Sequence, residues 1–196
     1  MLRLPNVRKL LLASSFAVLF LLCTGVTRAD SLFNGSYAVG NWTTTLTNSD
    51  GGVNTAGAPN SILLTGGNNG SEASGETLFS ISVPTTTTLT FGWTYTTYDC
   101  CGSEWDPAGY EIDGTQFQLS PPSSVTGFSG SGLQTVNLVA GEQFGFYVDT
   151  ADNIQGPGTL AVGPATGTPE PSSFALLAAG LLGLAGLFRR GSRQLG

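Results

Sequence analysis

The side chains able to do chemistry gather in two short stretches. The first, "YDCCGSEWDPAGYEIDG", holds Asp99, Glu104, Asp106, Glu111 and Asp113; the second, "VDTADN", holds Asp149, Asp152 and Asn153. Hard oxygens of this kind suit calcium, which takes roughly six to eight carboxylate, carbonyl and water ligands from loops. Asp99, Asp106, Asp149 and Asp152 are the candidate ligands, on the expectation that Asp106 and Asp149 come from adjacent loops at one end of the fold. The spacing is neither an EF-hand nor a calcium-repeat pattern, and solvated acidic loops are the plain alternative. Glu104 and Asp106 could also serve as a glycosidase pair, but that chemistry depends on a carboxylate separation that spacing does not give. Cys100 and Cys101 are chain neighbours, so a bond between them closes no long loop. A vicinal disulfide and a bridge to another chain both stay open. Trp105, between Glu104 and Asp106, is either a platform for a sugar ring or an anchor for its loop.

Charge narrows the function. All 7 basic residues lie at the ends: Arg3, Arg8, Lys9 and Arg28, then Arg189, Arg190 and Arg193. Residues 30–168 carry 12 acids and no Lys or Arg, a formal charge of −12. Such a body repels nucleic-acid backbones and anionic lipid, which excludes nucleic acid as a partner. Histidine is absent, removing the usual general base and the common triads. No enzyme activity is expected, and no cofactor beyond the candidate calcium.

The elements that must position these residues read as strands. Runs of β-branched and aromatic residues recur between turn formers, with no sustained helical period. Strands are predicted near Trp42–Thr47, Ile62–Thr65, Thr77–Val83, Thr87–Tyr98, Tyr110–Ile112, Thr115–Leu119, Gln134–Val139, Gln143–Asp149 and Thr159–Val162. In "LTFGWTYTTY" the large residues Leu89, Phe91, Trp93 and Tyr95 alternate with small or polar ones, so they share one face of a strand. Asp113-Gly114 suits a type I′ hairpin turn because both residues tolerate positive φ. "GNNGSEASGE" reads as a loop. The expected fold is all-β, a two-sheet β-sandwich of jelly-roll or immunoglobulin-like topology over residues 30–163.

Both ends read as addresses. Residues 1–29 have a basic start, an apolar run from Leu10 to Leu22 and Thr27-Arg28-Ala29, the pattern of a secretory signal peptide. Residues 164–173 form a linker containing Pro169, Glu170 and Pro171. Phe174 to Phe188 is an uncharged apolar stretch of 15 residues, short for a membrane helix, yet able to insert with local thinning. Residues 189–196 follow as a basic tail, and Arg189, Arg190 and Arg193 hold that end on the cytoplasmic side. The two ends agree in sending the middle out.

The tail "PEPSSFALLAAGLLGLAGLFRR" resembles the PEP-CTERM sorting signal: a Pro-Glu-Pro triplet, a short hydrophobic helix and an arginine cluster. That resemblance implies export through the Sec translocon in a Gram-negative bacterium, and processing near Pro169, Glu170 and Pro171 by an exosortase. It also implies transient inner-membrane anchoring before delivery to the cell surface or an extracellular polysaccharide matrix. "WDPAGYEIDG" and "AGEQFGFYVDTADNIQGPG" are similar to an ectodomain type common among PEP-CTERM proteins, which implies a small β-sandwich and no particular activity. The expected role is structural or adhesive in exopolysaccharide or biofilm; the alternative is a calcium-assisted carbohydrate-binding module.

Overall fold

The computed structural model describes residues 32–165. The predicted signal peptide, apolar helix and basic tail lie outside them, as do Pro169, Glu170, Pro171, Arg189, Arg190 and Arg193. No helix among the described residues is long and apolar enough to cross a membrane.

Ten strands form two five-stranded sheets: β1 (Thr43–Thr47), β2 (Gly52–Asn54), β3 (Ile62–Thr65), β4 (Gly75–Ser82), β5 (Thr87–Thr97), β6 (Ala108–Ile112), β7 (Thr115–Gln118), β8 (Ser129–Leu138), β9 (Gln143–Thr150) and β10 (Gly158–Pro164). One sheet has the order β1-β4-β9-β6-β7 and the other β2-β3-β10-β5-β8. Every pairing is antiparallel. From β3 to β10 the chain changes sheet at each connection except the β6–β7 hairpin. That path is the double Greek key of a jelly roll, which decides between the two topologies left open by the sequence.

Alternation builds the core as the pattern requires. Leu89, Phe91 and Tyr95 of β5 are buried, and Trp93 packs half-buried against the same core. Trp93 lies across from Gly132 of β8. A Cβ there would come within 3.0 Å of the indole, so the glycine makes room for the ring. From the facing sheet come Phe144, Phe146 and Val148 of β9 and Phe79 of β4. Trp42 is sandwiched between Phe79 and Phe146, with centroids 5.0 Å and 5.8 Å away and rings nearly parallel. Its indole N–H donates to the Tyr37 carbonyl at 2.8 Å, satisfying the one polar group this burial would strand. Asp113 and Gly114 both take positive φ, 49° and 77°, which gives the expected tight turn between β6 and β7.

The register also sorts the loops. The ends of β1, β3, β5, β7 and β9 lie together with the starts of β2, β4, β6, β8 and β10. Connections 48–51, 66–74, 98–107, 119–128 and 151–157 therefore share one end of the sandwich. β10 runs away from that end, so the chain leaves the sandwich at the opposite one. It stops at Pro164, one residue inside the segment read as linker.

Candidate functional site

The crowded end carries the acids. Of the 11 Asp and Glu among residues 32–165, eight belong there: Asp50, Glu72, Glu76, Asp99, Glu104, Asp106, Asp149 and Asp152. No Lys or Arg is available to any of them in this stretch. Two separate centres result, divided by the alternation of β9. Val148 and Thr150 face inward and are buried, so Asp149 between them faces out.

The inner centre is built on Asp106, which is 0% exposed, with Asp99 at 1%. Asp106 Oδ2 accepts the Thr97 hydroxyl at 3.0 Å, while its Oδ1 is buried with no partner. The Asp106 carbonyl accepts from the Tyr95 hydroxyl at 2.6 Å. Burial pushes the Asp106 carboxyl up to about 7; the Thr97 and Thr150 side chains oppose this, and the charges of Asp99 and Asp152 add to it. Burial likewise drives the Tyr95 phenol far above its ordinary range. Asp99 and Asp152 each spend one carboxylate oxygen on a local turn, Oδ1 of Asp99 accepting from Cys101 N–H and Oδ1 of Asp152 from Ile154 N–H.

The outer centre lies on the face of the β1-β4-β9-β6-β7 sheet. Glu76 and Asp149 sit directly opposite each other on β4 and β9, an unfavourable pairing of like charges. Gln116 of β7 relieves it by donating to Glu76 Oε2 and Asp149 Oδ2, each at 3.1 Å. Burial pushes Asp149 up to about 7, reinforced by Glu76. Glu111 is raised by burial and by Glu76. Thr47, Ser74, Glu76, Glu104, Asp149 and Ala151 help line an open cleft of about 430 Å³ here.

Of the four candidate calcium ligands, Asp99 and Asp152 lie near enough to Asp106 for their charges to act on it, though the three are not within 4.8 Å of one another, and Asp149 belongs to the outer centre. The expected sharing of one ion by Asp106 and Asp149 does not match this geometry, because adjacent residues of a strand point to opposite faces. Glu104 is at the outer cleft while Asp106 is sealed inside, so the two do not flank a common opening as a glycosidase pair would. Cys100 and Cys101 are exposed free thiols with Sγ atoms 2.6 Å apart. Their mutual hydrogen bond, then partial desolvation, pushes the Cys100 thiol up to about 11. Together with Asp99 they form a group whose ligand atoms lie within 4.8 Å of one another. Trp105 is 42% exposed, and its carbonyl receives the Ala151 N–H at 2.7 Å.

One residue has a larger structural part than its motif suggested. Asn153 is fully buried, and its side-chain amide donates to the Asn48 carbonyl at 2.8 Å and the Ala73 carbonyl at 2.7 Å. It thereby ties three of the connections together. Its positive φ of 57° is a conformation that Asn tolerates better than most residues, the one signal of this role visible in the sequence.

Comparison with known proteins bears on the segment that follows β10. The family model for the PEP-CTERM protein-sorting motif matches residues 168–190. The chain carries a PEP-CTERM sorting motif. The match covers Pro169, Glu170, Pro171, Arg189 and Arg190, and stops short of Arg193. A PEP-CTERM motif implies export with a membrane-anchored stage before the surface. No curated protein matches the chain. Among solved structures, a family 35 carbohydrate binding module from Clostridium thermocellum is 16% identical over 62% of this chain and 92% of its own, with a TM-score of 0.32. CBM35 from Paenibacillus barcinonensis gives 17%, 62%, 93% and 0.33 in the same order. The N-terminal cellulose-binding domain of Cellulomonas fimi β-1,4-glucanase C gives 15%, 63%, 91% and 0.34. None of these likenesses carries a ligand to this chain.

Proposed function

We propose that this protein is a non-enzymatic component of the cell surface or extracellular polysaccharide matrix, delivered there through its PEP-CTERM motif and acting structurally or adhesively. The match at residues 168–190 carries the reading. In this reading the Sec translocon takes the chain across by its N-terminal signal. An exosortase then processes it near Pro169, Glu170 and Pro171 while the apolar segment and Arg189, Arg190 and Arg193 retain it in the membrane. The body supports a passive role: residues 30–168 hold no histidine, lysine or arginine, and the fold parts Glu104 from Asp106, the pair a glycosidase would need.

Contact with matrix polysaccharide falls to the loop end, where Trp105 offers an exposed ring. The uncompensated acids restrict that contact to neutral glycans, or to polyanions bridged by divalent ions.

The test is fractionation of the native host beside a strain lacking its exosortase, with intact-mass measurement of the recovered protein. The wild-type host should yield a surface form without the residues after the motif, and the mutant strain a membrane-retained form that keeps them. Full-length protein in the cytosol of both strains would refute the reading.

A further inference from the structure

We propose that the inner acidic centre is a binding site for a hard divalent cation of the calcium type, held by Asp106, Asp99 and Asp152 between the β5–β6 and β9–β10 connections. The site rests on local geometry and stands apart from where the protein is delivered.

Two observations carry it independently. The first is charge without compensation: Asp99 and Asp106 are fully buried and Asp152 half-buried, in a stretch with no Lys or Arg. Buried carboxylates are normally paired or bound to metal. The second is the orphaned oxygen. Oδ1 of Asp106 is sealed from solvent and meets no donor, although Thr97 satisfies its companion Oδ2. Oδ1 of Asp149 is also buried without a donor, but it belongs to the outer centre, where Gln116 bridges Asp149 to Glu76. At the inner centre, with no such bridging amide, the open acceptor is a ligand position. Asp99 and Asp152 each have a second carboxylate oxygen beyond the one spent on its turn.

The donor set selects the ion. All three side chains are carboxylates, and Thr97 and Thr150 supply hydroxyls beside them. Oxygen-only ligation favours calcium or magnesium over zinc, which prefers nitrogen and sulfur. Loops of irregular geometry favour calcium over magnesium, whose octahedral shell tolerates little distortion. The thiols of Cys100 and Cys101 are exposed and stand within 4.8 Å of an Asp99 carboxylate oxygen, so Asp99 is shared between the oxygen set and this pair.

The three carboxylates are not gathered within 4.8 Å of one another, a spacing that only Asp99, Cys100 and Cys101 meet among the described residues. A bound ion therefore needs backbone carbonyls and water, besides these side chains, to complete its shell. Asp149 takes no part, because it faces the other side of β9.

The experiment uses the purified full-length protein, stripped with EDTA and then titrated with calcium, followed by thermal unfolding. Calcium at about 5 mM, above the roughly 10⁻⁴–10⁻³ M range of extracellular modules, should raise Tm by several degrees. D106N should abolish the rise while being no less stable than wild type in EDTA, since the amide removes the buried charge and still accepts from Thr97. D152N should weaken the response, and D149N should keep it. Terbium luminescence excited through Trp105 and quenched by calcium gives a direct readout should D106N fail to fold; D152N should then shift that quenching to higher calcium. A wild-type Tm indifferent to calcium, or a D106N response equal to wild type, overturns the site, as does loss of the response in D149N.

Discussion

At the scale of single residues, the buried acids dictate how stability responds to pH. Asp106 and Asp149 are both pushed from an ordinary 3.8 up to about 7 by burial and neighbouring carboxylates. An acid whose folded value is raised holds its proton longer in the folded state, so it destabilises the fold as pH climbs from the unfolded value to the folded one. With divalent ions chelated, stability should be highest below about pH 4 for these groups. It should fall by as much as about 1.4 kcal/mol per pH unit for each of them up to about pH 7. Asp99, Asp152 and Tyr95 surround Asp106, while Glu76, Glu111 and Tyr147 surround Asp149, and none of these supplies a positive charge. Denaturant unfolding at a series of pH values in EDTA checks the sign. D149N should flatten part of the slope, and a stability that instead rises between pH 5 and 7 would contradict the assignment. Cys100 enters only at alkaline pH, because its thiol is pushed up to about 11.

At the scale of elements, most of the architecture was legible because strands advertise themselves by alternation. The β3 limits match the sequence reading, and Leu89, Phe91 and Tyr95 take the buried face that period two assigns them. What escaped was built from small or turn-forming residues. Gly52–Asn54 forms β2 against β3, and Ser129–Leu133 begins β8, although "SGSGL" has the composition of a loop. Their pairing comes from the partner strand and from Trp93 needing the space above Gly132, neither of which is local. Gly132→Val should expel the indole and cost about 1–3 kcal/mol, the range for overpacking; tryptophan fluorescence shifted to the red would report it. Trp42→Ala should cost more, about 3–5 kcal/mol, since it empties the space between Phe79 and Phe146. Of the candidate site, the composition showed which residues were acidic but not how they divide. The separation of Asp149 from Asp106 depends on β9 continuing through Thr150, two residues short of Asp152.

At the scale of the whole molecule, Asn153 makes the loop end a single unit. Asn153→Ala removes two hydrogen bonds that span three connections, a loss of about 0.5–1.5 kcal/mol for each, while the Asn48 and Ala73 carbonyls keep donors in the Asn69 and Asn48 side chains. Limited proteolysis with an acid-specific enzyme should then cut first at Glu72 or Asp152, while the opposite end keeps wild-type resistance. Equal cutting at both ends would show that the connections are not held together this way.

The direction of the final strand also has a consequence for presentation. β10 leads from the anionic crown to the far pole and releases the chain at Pro164, shortly before the sorting motif begins at residue 168. The segment that carries the motif thus joins the sandwich at the end away from eight of the 11 acids among residues 32–165. An attachment made there leaves the loop end, with its eight acids, uncovered.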